Sequence, residues 1–191
     1  MMVTAKNTYY IMAVNLLYTL TVIASITLRF NDMPVAKWLQ VLNEIVYVTP
    51  MLYVVMMLKY LKEDGSIIAT YKIFIGIDIF ISLYFVVVKM TANNVGLYYL
   101  FFLLSIIAGI IFTIQSARIQ NKWLGYPLLT YGLMFLFVIL LQLIASIIYS
   151  SQLFKYVSLT EILIPAMTFY ILFKIARYLA SEEDSTASIL T

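Results

Sequence analysis

The sequence predicts an all-α integral membrane protein, a single polytopic bundle of six transmembrane helices with short loops. Hydrophobic residues make up 64% of the 191 residues and charged residues only 11%, and the mean hydropathy is +0.99. Soluble domains have about 45–50% apolar and about 25% charged residues, so this chain has too few charges to cover a water-soluble surface. Six long apolar runs are present, and none alternates polar with apolar residues as the strands of membrane barrels do.

Each predicted span has at least the length of about 20 residues that crosses the hydrocarbon core. The spans are residues 9–28, 39–61, 67–88, 95–116, 124–149 and 157–179. The short segments between them contain Asn, Pro, Gly and charged residues, which are typical of turns. Residues 1–179 therefore form one bundle, and residues 180–191, which include Glu182, Glu183 and Asp184, form a polar, acidic and solvated tail.

Basic residues are distributed unequally between the two ends of the spans. With both termini in the cytoplasm, eight of them lie at the inner face and four, namely Arg29, Lys37, Lys89 and Lys155, lie at the outer face. The positive-inside rule favours this orientation, so we expect a protein of the cell or inner membrane with cytoplasmic termini. Six of the inner residues are called the inner basic rim here: Lys59, Lys62, Arg118, Lys122, Lys174 and Arg177.

The inner basic rim bears on the expected partners. Its position at the ends of spans explains the net charge of +3 by membrane topology, so nucleic acid is not expected. The lipid bilayer is the expected partner, and anionic lipid is attracted to such a rim. Two protein partners stay open: a soluble cytoplasmic protein, and a second copy of the chain, since a bundle this small has little room for a wide path.

The first and last pairs of spans share an ordered series of features. The residues VIASI at 22–26 recur as LIASI at 143–147, and each motif is followed by a loop, a glutamate and a proline. These pairs are Glu44 with Pro50 and Glu161 with Pro165. Two interpretations stay open, three related hairpins arranged as parallel repeats or a chance likeness of common membrane residues.

Asp78 is the ionisable residue that lies deepest in a predicted span. A charge in mid-membrane costs about 2.5–3.5 kcal/mol, so such a residue should face the bundle interior. Tyr71, Ser82 and Lys89 fall on the same helical stripe as Asp78. Asp78 is a candidate for binding a proton or cation, and the alternative is a hydrogen-bonding contact between helices.

Glu44 and Glu161 lie about one turn inside the outer ends of their predicted spans. They are candidate acidic groups of an outer vestibule, and the alternative is a role in starting helices, with Asn43 and Thr160 as caps. Pro50 and Pro165 are candidate kinks. A kink frees a backbone carbonyl, which could bind an ion or accept a hydrogen bond from Thr49 or Thr168.

Several chemistries are absent from the sequence. There is no Cys and no His, which excludes thiol catalysis, disulfides and His-based metal sites, and no nucleotide-binding or hydrolase motif is present. We therefore expect no catalytic residues, metal or cofactor, and a protein that is not an enzyme. No two glycines are spaced as G-x-x-x-G, so a close helix crossing at glycine is not expected.

These observations favour a transporter or channel for an ion or small solute, on the strength of Asp78, the prolines and the repeat. The alternative is a non-catalytic membrane subunit that senses the bilayer or anchors a soluble partner, since the loops are short. A third interpretation, a lipid-binding protein, depends only on the sixteen Tyr, twelve Phe and ten Met residues.

Reporter fusions test the predicted spans. A reporter fused at Gly65 and one fused at Asn93 should lie on opposite sides of the membrane, because the third span separates the two positions. Protease protection in inverted vesicles gives the side of each reporter. Reporters on the same side would show that the second or third span is wrong.

Overall fold

The computed structural model describes residues 3–88, 95–148 and 151–189, without the side chains of Val95 and residues 183–189. All secondary structure in these ranges is helical. The helices are α1 (Ala5–Phe30), α2 (Lys37–Tyr60), α3 (Gly65–Val87), α4 (Val95–Ala117), α5 (Lys122–Ile148), α6 (Ser151–Ser158) and α7 (Leu163–Ile189). A 3₁₀ segment, Leu159–Ile162, joins α6 to α7. Six helical stretches are long and apolar enough to cross a membrane, in agreement with the six predicted spans.

The six long helices form a closed ring in chain order. Each of them packs against the next one along the chain, and α7 returns to pack against α1 and also contacts α2. The start of α1 lies beside the end of α2, where the hydroxyls of Thr8 and Tyr53 are 2.7 Å apart. The end of α7 lies there too, since Tyr60 donates to Glu182 (3.1 Å). We call this end of the ring the terminal face and the opposite end the distal face.

Two adjacent carboxylates organise the turn between α2 and α3 at the terminal face. Asp64 caps α3 by accepting the amide of Ser66 (2.6 Å), and hydrogen bonds from Ser66 lower the pKa of Asp64. Glu63 is buried and accepts the amides of Gln120 (3.2 Å) and Asn121 (3.0 Å), just before α5 begins. The turn is therefore attached to the start of α5, whose unpaired amides favour a negative charge.

The closely packed part of the ring is its middle and its terminal half. The largest side chains with almost no exposure lie there, and they include Tyr53, Tyr71, Phe74, Phe112, Leu128 and Tyr131. The ring of Phe74 contacts that of Phe112 at 4.4 Å between centroids. Large aromatic rings fill the space between the described helices at this level.

Hydrogen bonds between buried polar groups connect neighbouring helices. The hydroxyls of Tyr71 on α3 and Ser116 on α4 are 2.7 Å apart. Asn15 on α1 is fully buried and donates to the carbonyl oxygen of Pro165 on α7 (2.9 Å). Such contacts satisfy polar groups that have no water available, and they fix which faces of the helices meet.

Pro165 does not lie inside a continuous helix as expected. It is the third residue of α7 and follows the 3₁₀ segment directly, so it occupies a first turn, where the missing N–H has no helical partner to lose. Pro50, in contrast, lies within α2 as predicted.

The hydroxyls predicted to satisfy the freed carbonyls bond elsewhere. Thr49 donates to the carbonyl of Ile45 (3.0 Å), and Thr168 donates to that of Ile164 (2.9 Å). Both are bonds to the carbonyl four residues earlier, whereas the carbonyls four residues before the two prolines are those of Val46 and Glu161. That part of the prediction is wrong, because a Thr hydroxyl in a helix reaches its own preceding turn most easily.

The last helix continues past residue 179, where the predicted bundle ends. It reaches Ile189, and the Glu182 carboxylate accepts hydrogen bonds from Tyr178 (2.9 Å) and from Tyr60 on α2. The start of the predicted tail is therefore helical and attached to the bundle. The apolar run marks where a span would end, but no glycine or proline follows it to end the helix.

A close crossing between α4 and α5 contradicts the expectation drawn from glycine spacing. A Cβ on Gly132 of α5 would lie 3.1 Å from the ring of Phe112 and 3.2 Å from the Cα of Thr113 on α4. A Cβ on Gly109 of α4 would lie 2.9–3.0 Å from Leu136 and Phe135 on α5. One glycine on each helix achieves here what two glycines on one helix do in the G-x-x-x-G pattern.

Substituting Gly132 tests this crossing. Gly132→Ala should lower the free energy of unfolding by about 1–3 kcal/mol, because the new methyl group meets the backbone of α4. Gly76→Ala on α3 is the matched control, since a Cβ there meets nothing within 4 Å and alanine favours the helix. Thermal unfolding in detergent measures both, and an unchanged Gly132→Ala would show that the helices are farther apart.

Candidate functional site

A cavity of about 470 Å³ lies in the distal half of the ring. Its walls come from the distal parts of α1 to α5, from the connection at 31–36, from α6 and from the 3₁₀ segment. The charged and amide side chains in the wall include Arg29, Asn43, Glu44, Asp78, Gln142 and Glu161. The aromatic side chains are Phe85, Tyr98, Phe101, Phe102 and Phe154. The cavity therefore combines charge, hydrogen-bonding groups and aromatic rings.

A smaller cavity of about 190 Å³ continues this space toward the middle of the ring. The two cavities share a wall that contains Glu44, Asp78 and Glu161, and Tyr18 and Tyr47 belong to the smaller one alone. Beyond the tyrosines lies the closely packed terminal half. The combined space therefore extends from the distal part of the ring to its middle and stops there.

The structure brings the three predicted carboxylates around one space. Asp78 lies on α3, nine residues before its distal end, which is about 13 Å at the helical rise. Glu44 lies on α2 and Glu161 on the 3₁₀ segment before α7. Nothing in the spacing along the chain relates Asp78 to the other two carboxylates, so their meeting could not be predicted from the sequence.

Asp78 lies close to a buried tyrosine. The hydroxyl of Tyr47 on α2 is near the Asp78 carboxyl group and lies 3.2 Å from the hydroxyl of Tyr131 on α5. Both tyrosines are buried. The carboxyl group thus lies at the boundary between the cavity and a chain of hydroxyls that crosses to the other side of the ring.

Glu44 has an unsatisfied oxygen. Its Oε2 atom is buried and has no hydrogen-bond partner among the described residues, although Ser82 on α3 lies close to the carboxyl group. A buried acceptor without a donor costs about 1–3 kcal/mol, more if charged. This atom is therefore a place where a ligand that donates a hydrogen bond would be stabilised.

The helix caps predicted beside Glu44 and Glu161 are wrong. α2 begins at Lys37, so Glu44 lies two turns inside, and the Asn43 side chain accepts from Thr21 on α1 (2.6 Å) instead of capping. Thr160 donates to a backbone carbonyl three residues earlier. α2 begins before residue 39, and the helical stretch that contains Glu161 begins with α6, before residue 157. The start of an apolar run therefore does not mark the first turn of a helix.

Glu161 has an ionic partner, Arg29, that was not predicted to belong to the site. Arg29, at the distal end of α1, approaches the Glu161 carboxylate to 2.5 Å, and the same oxygen accepts from Gln142 on α5 (3.0 Å). Three elements thus meet at one carboxylate oxygen. Arg29 and Glu161 are 132 residues apart, and Arg29 was recognised only as one of the basic residues of the outer face.

The inner basic rim lies away from the cavity. None of its six residues lines either cavity, and they belong to the half of the ring near the terminal face. Lys174 lies over the rings of Trp123 and Tyr170 at 5.6 Å, and Arg177 lies over Phe173 at 5.3 Å. These are cation–π contacts at helix surfaces. Of the other predicted features, Lys89 and Asn93 lie outside the described residues, as do the side chains of Glu183 and Asp184.

The described part of the chain contains no group of three acidic, His or Cys residues able to hold a metal ion. The carboxylates therefore surround the cavity without converging on one point. Comparisons with protein-family models, curated proteins and solved structures find no match for this chain. What the site does must be argued from its own geometry.

A double-mutant cycle tests the Arg29–Glu161 pair. The coupling free energy between Arg29→Gln and Glu161→Gln should be about 1–2 kcal/mol, because both side chains are mostly buried, at 31% and 21% exposure. The pair Lys155–Asp32 at the same end is the control and should couple by less than about 1 kcal/mol, since Asp32 is 81% exposed. Unfolding in detergent gives the free energies for both cycles, and equal couplings for the two pairs would contradict this prediction.

Proposed function

We propose that this protein is a small multi-pass membrane protein that transports an ion or small solute through the cavity between its helices. The observation that carries the proposal is a cavity that reaches the Asp78 carboxyl group in the middle of the ring and is closed beyond it. A carboxylate at that depth is costly to insert into a membrane, and residues that carry this cost are usually functional.

The exposed surface supports insertion into a membrane. Large apolar side chains on the outside of the ring are half exposed or more, among them Leu20, Ile73, Phe80, Leu100 and Ile147. They occur on four different helices, α1, α3, α4 and α5. Soluble monomers rarely expose contiguous apolar patches larger than a few hundred Å², whereas lipid tails solvate such side chains at no cost.

The uneven packing supports alternating access. In this conformation the distal half contains the cavity and the terminal half is filled by buried aromatic and aliphatic side chains. A carrier needs a second conformation in which the packed half opens and the cavity half closes. α2 and α7 contact each other; α2 contains Pro50, and α7 follows a 3₁₀ segment and has Pro165 in its first turn.

A membrane subunit that anchors a soluble partner is the alternative. Nothing in that role requires a polar cavity in the distal half, so the cavity favours transport. The two proposals differ in a measurable way, because an anchoring subunit moves no solute in the absence of other proteins.

Asp78→Asn separates a functional carboxylate from a contact between helices. The variant should keep its melting temperature, because the amide is nearly isosteric and retains an acceptor oxygen beside the Tyr47 hydroxyl. It should lose most of the solute flux into proteoliposomes, because the charge that attracts a proton or cation is gone. The flux panel contains one labelled probe of each class: Na⁺, an alkylammonium, an alkylcarboxylate and a polyol.

Asp32→Asn is the matched control for this experiment. Asp32 is an exposed residue in the loop after α1 and does not line the cavity. The flux of the Asp32→Asn variant should therefore equal that of the unmodified protein. Flux that is unchanged in Asp78→Asn would exclude the transport role of Asp78. A protein that moves none of the four probes would favour the anchoring subunit.

A further inference from the structure

We propose that the cavity binds an organic cation, a protonated amine whose ammonium group pairs with Glu44 and Asp78 and whose apolar part packs against the aromatic wall. This inference rests on the proposed function and names the class of solute that would be carried. Three independent properties of the cavity support it: its charge, its unsatisfied acceptor and its aromatic lining.

The charges in the wall favour a cation. Three carboxylates and one guanidinium line the cavity, and Arg29 is already paired with Glu161. Within the described ranges, neither Glu44 nor Asp78 has a Lys or Arg at ion-pair distance. Two charged carboxylates on adjacent helices repel each other, and a proton or a bound cation relieves the repulsion. An anion would add to it.

The Glu44 carboxylate favours a ligand that donates hydrogen bonds. Its Oε2 atom is buried without a donor among the described residues, and Glu44 belongs to the wall of both cavities. An ammonium group supplies both the positive charge and the missing N–H. A quaternary ammonium or an alkali ion supplies the charge alone.

The aromatic wall favours an organic ligand over a bare ion. Phe85, Tyr98, Phe101 and Phe102 pack edge to face, with centroids 4.7–5.8 Å apart. These contacts join α3 to α4 and hold the rings beside the cavity. Aromatic faces attract ammonium groups and shield apolar groups from water, whereas they offer nothing to a hydrated inorganic ion.

The size of the cavity agrees with this class. A volume of about 470 Å³ lies within the range of about 300–1,000 Å³ that is usual for sites of small organic molecules. A dehydrated inorganic ion fills a small fraction of that volume. The described part of the chain also has no group of three His, Cys, Asp or Glu residues able to hold a metal ion.

A matched series of probes tests the proposal on the full-length protein in detergent. The probes are 4-phenylbutylamine, 4-phenyl-1-butanol and 4-phenylbutyrate, which share one apolar part and differ in charge. Isothermal titration should show binding of the amine, and binding of the alcohol and the carboxylate weaker by about tenfold or more. Equal binding of amine and alcohol, or tighter binding of the carboxylate, would overturn the proposal.

Variants of the wall locate the bound amine. Glu44→Gln and Asp78→Asn should each weaken amine binding about tenfold or more, and Phe101→Leu should weaken it about threefold to tenfold. Asp32→Asn and Phe137→Leu are the controls, since Asp32 lies outside the cavity and Phe137 on α5 faces outward with 49% exposure. Amine binding that both acidic variants leave unchanged would place the amine elsewhere and overturn the proposal.

Flux of the same amine into proteoliposomes separates the two proposals. Binding and flux together support both. Amine that binds but does not enter the vesicles would refute transport and leave the class of ligand intact. Entry of Na⁺, the carboxylate or the polyol, without binding or entry of the amine, would refute the class of ligand and leave transport intact.

Discussion

Polar side chains between these helices must find partners inside the bundle, because the apolar surface around it offers none. Most of them do so in pairs that join two helices. The Asn15 side chain holds a backbone carbonyl of α7, and Tyr71 holds Ser116 across the α3–α4 contact. Glu44 and Asp78 need a separate explanation because they carry charge, and no basic side chain of the described structure pairs with either.

The exceptions occur where the packing is least complete. Around Tyr71, Phe74 and Phe112 the rings fill the space between helices, and the ring of helices is closed. In the distal half the wall residues are carboxylates, amides and aromatic rings that stop short of contact across the centre. Polar residues that line the cavity and apolar residues that close the ring are therefore segregated along the axis of the ring.

Much of the helical architecture could be predicted from the sequence, because apolar run length alone identifies a helix long enough to span a bilayer. The errors in the predicted helix limits have a common cause. The limits of an apolar run mark the limits of a span, whereas a helix begins and ends at backbone signals such as caps, glycine and proline. α2 therefore begins before its apolar run, and α7 continues beyond residue 179. The Gly109–Gly132 crossing was missed because it joins two helices, and a spacing rule examines one.

The candidate site shows the same division between local and long-range information. Asp78, Glu44 and Glu161 are conspicuous in the sequence because charge is rare in apolar runs, and each could be named from its own surroundings. Their meeting around one cavity could not, because it depends on a ring that places α2, α3 and the 3₁₀ segment beside the same space. Arg29 shows why this matters. Its pairing with Glu161 removes one carboxylate from the charge available to a ligand, and only Glu44 and Asp78 then remain to attract a cation.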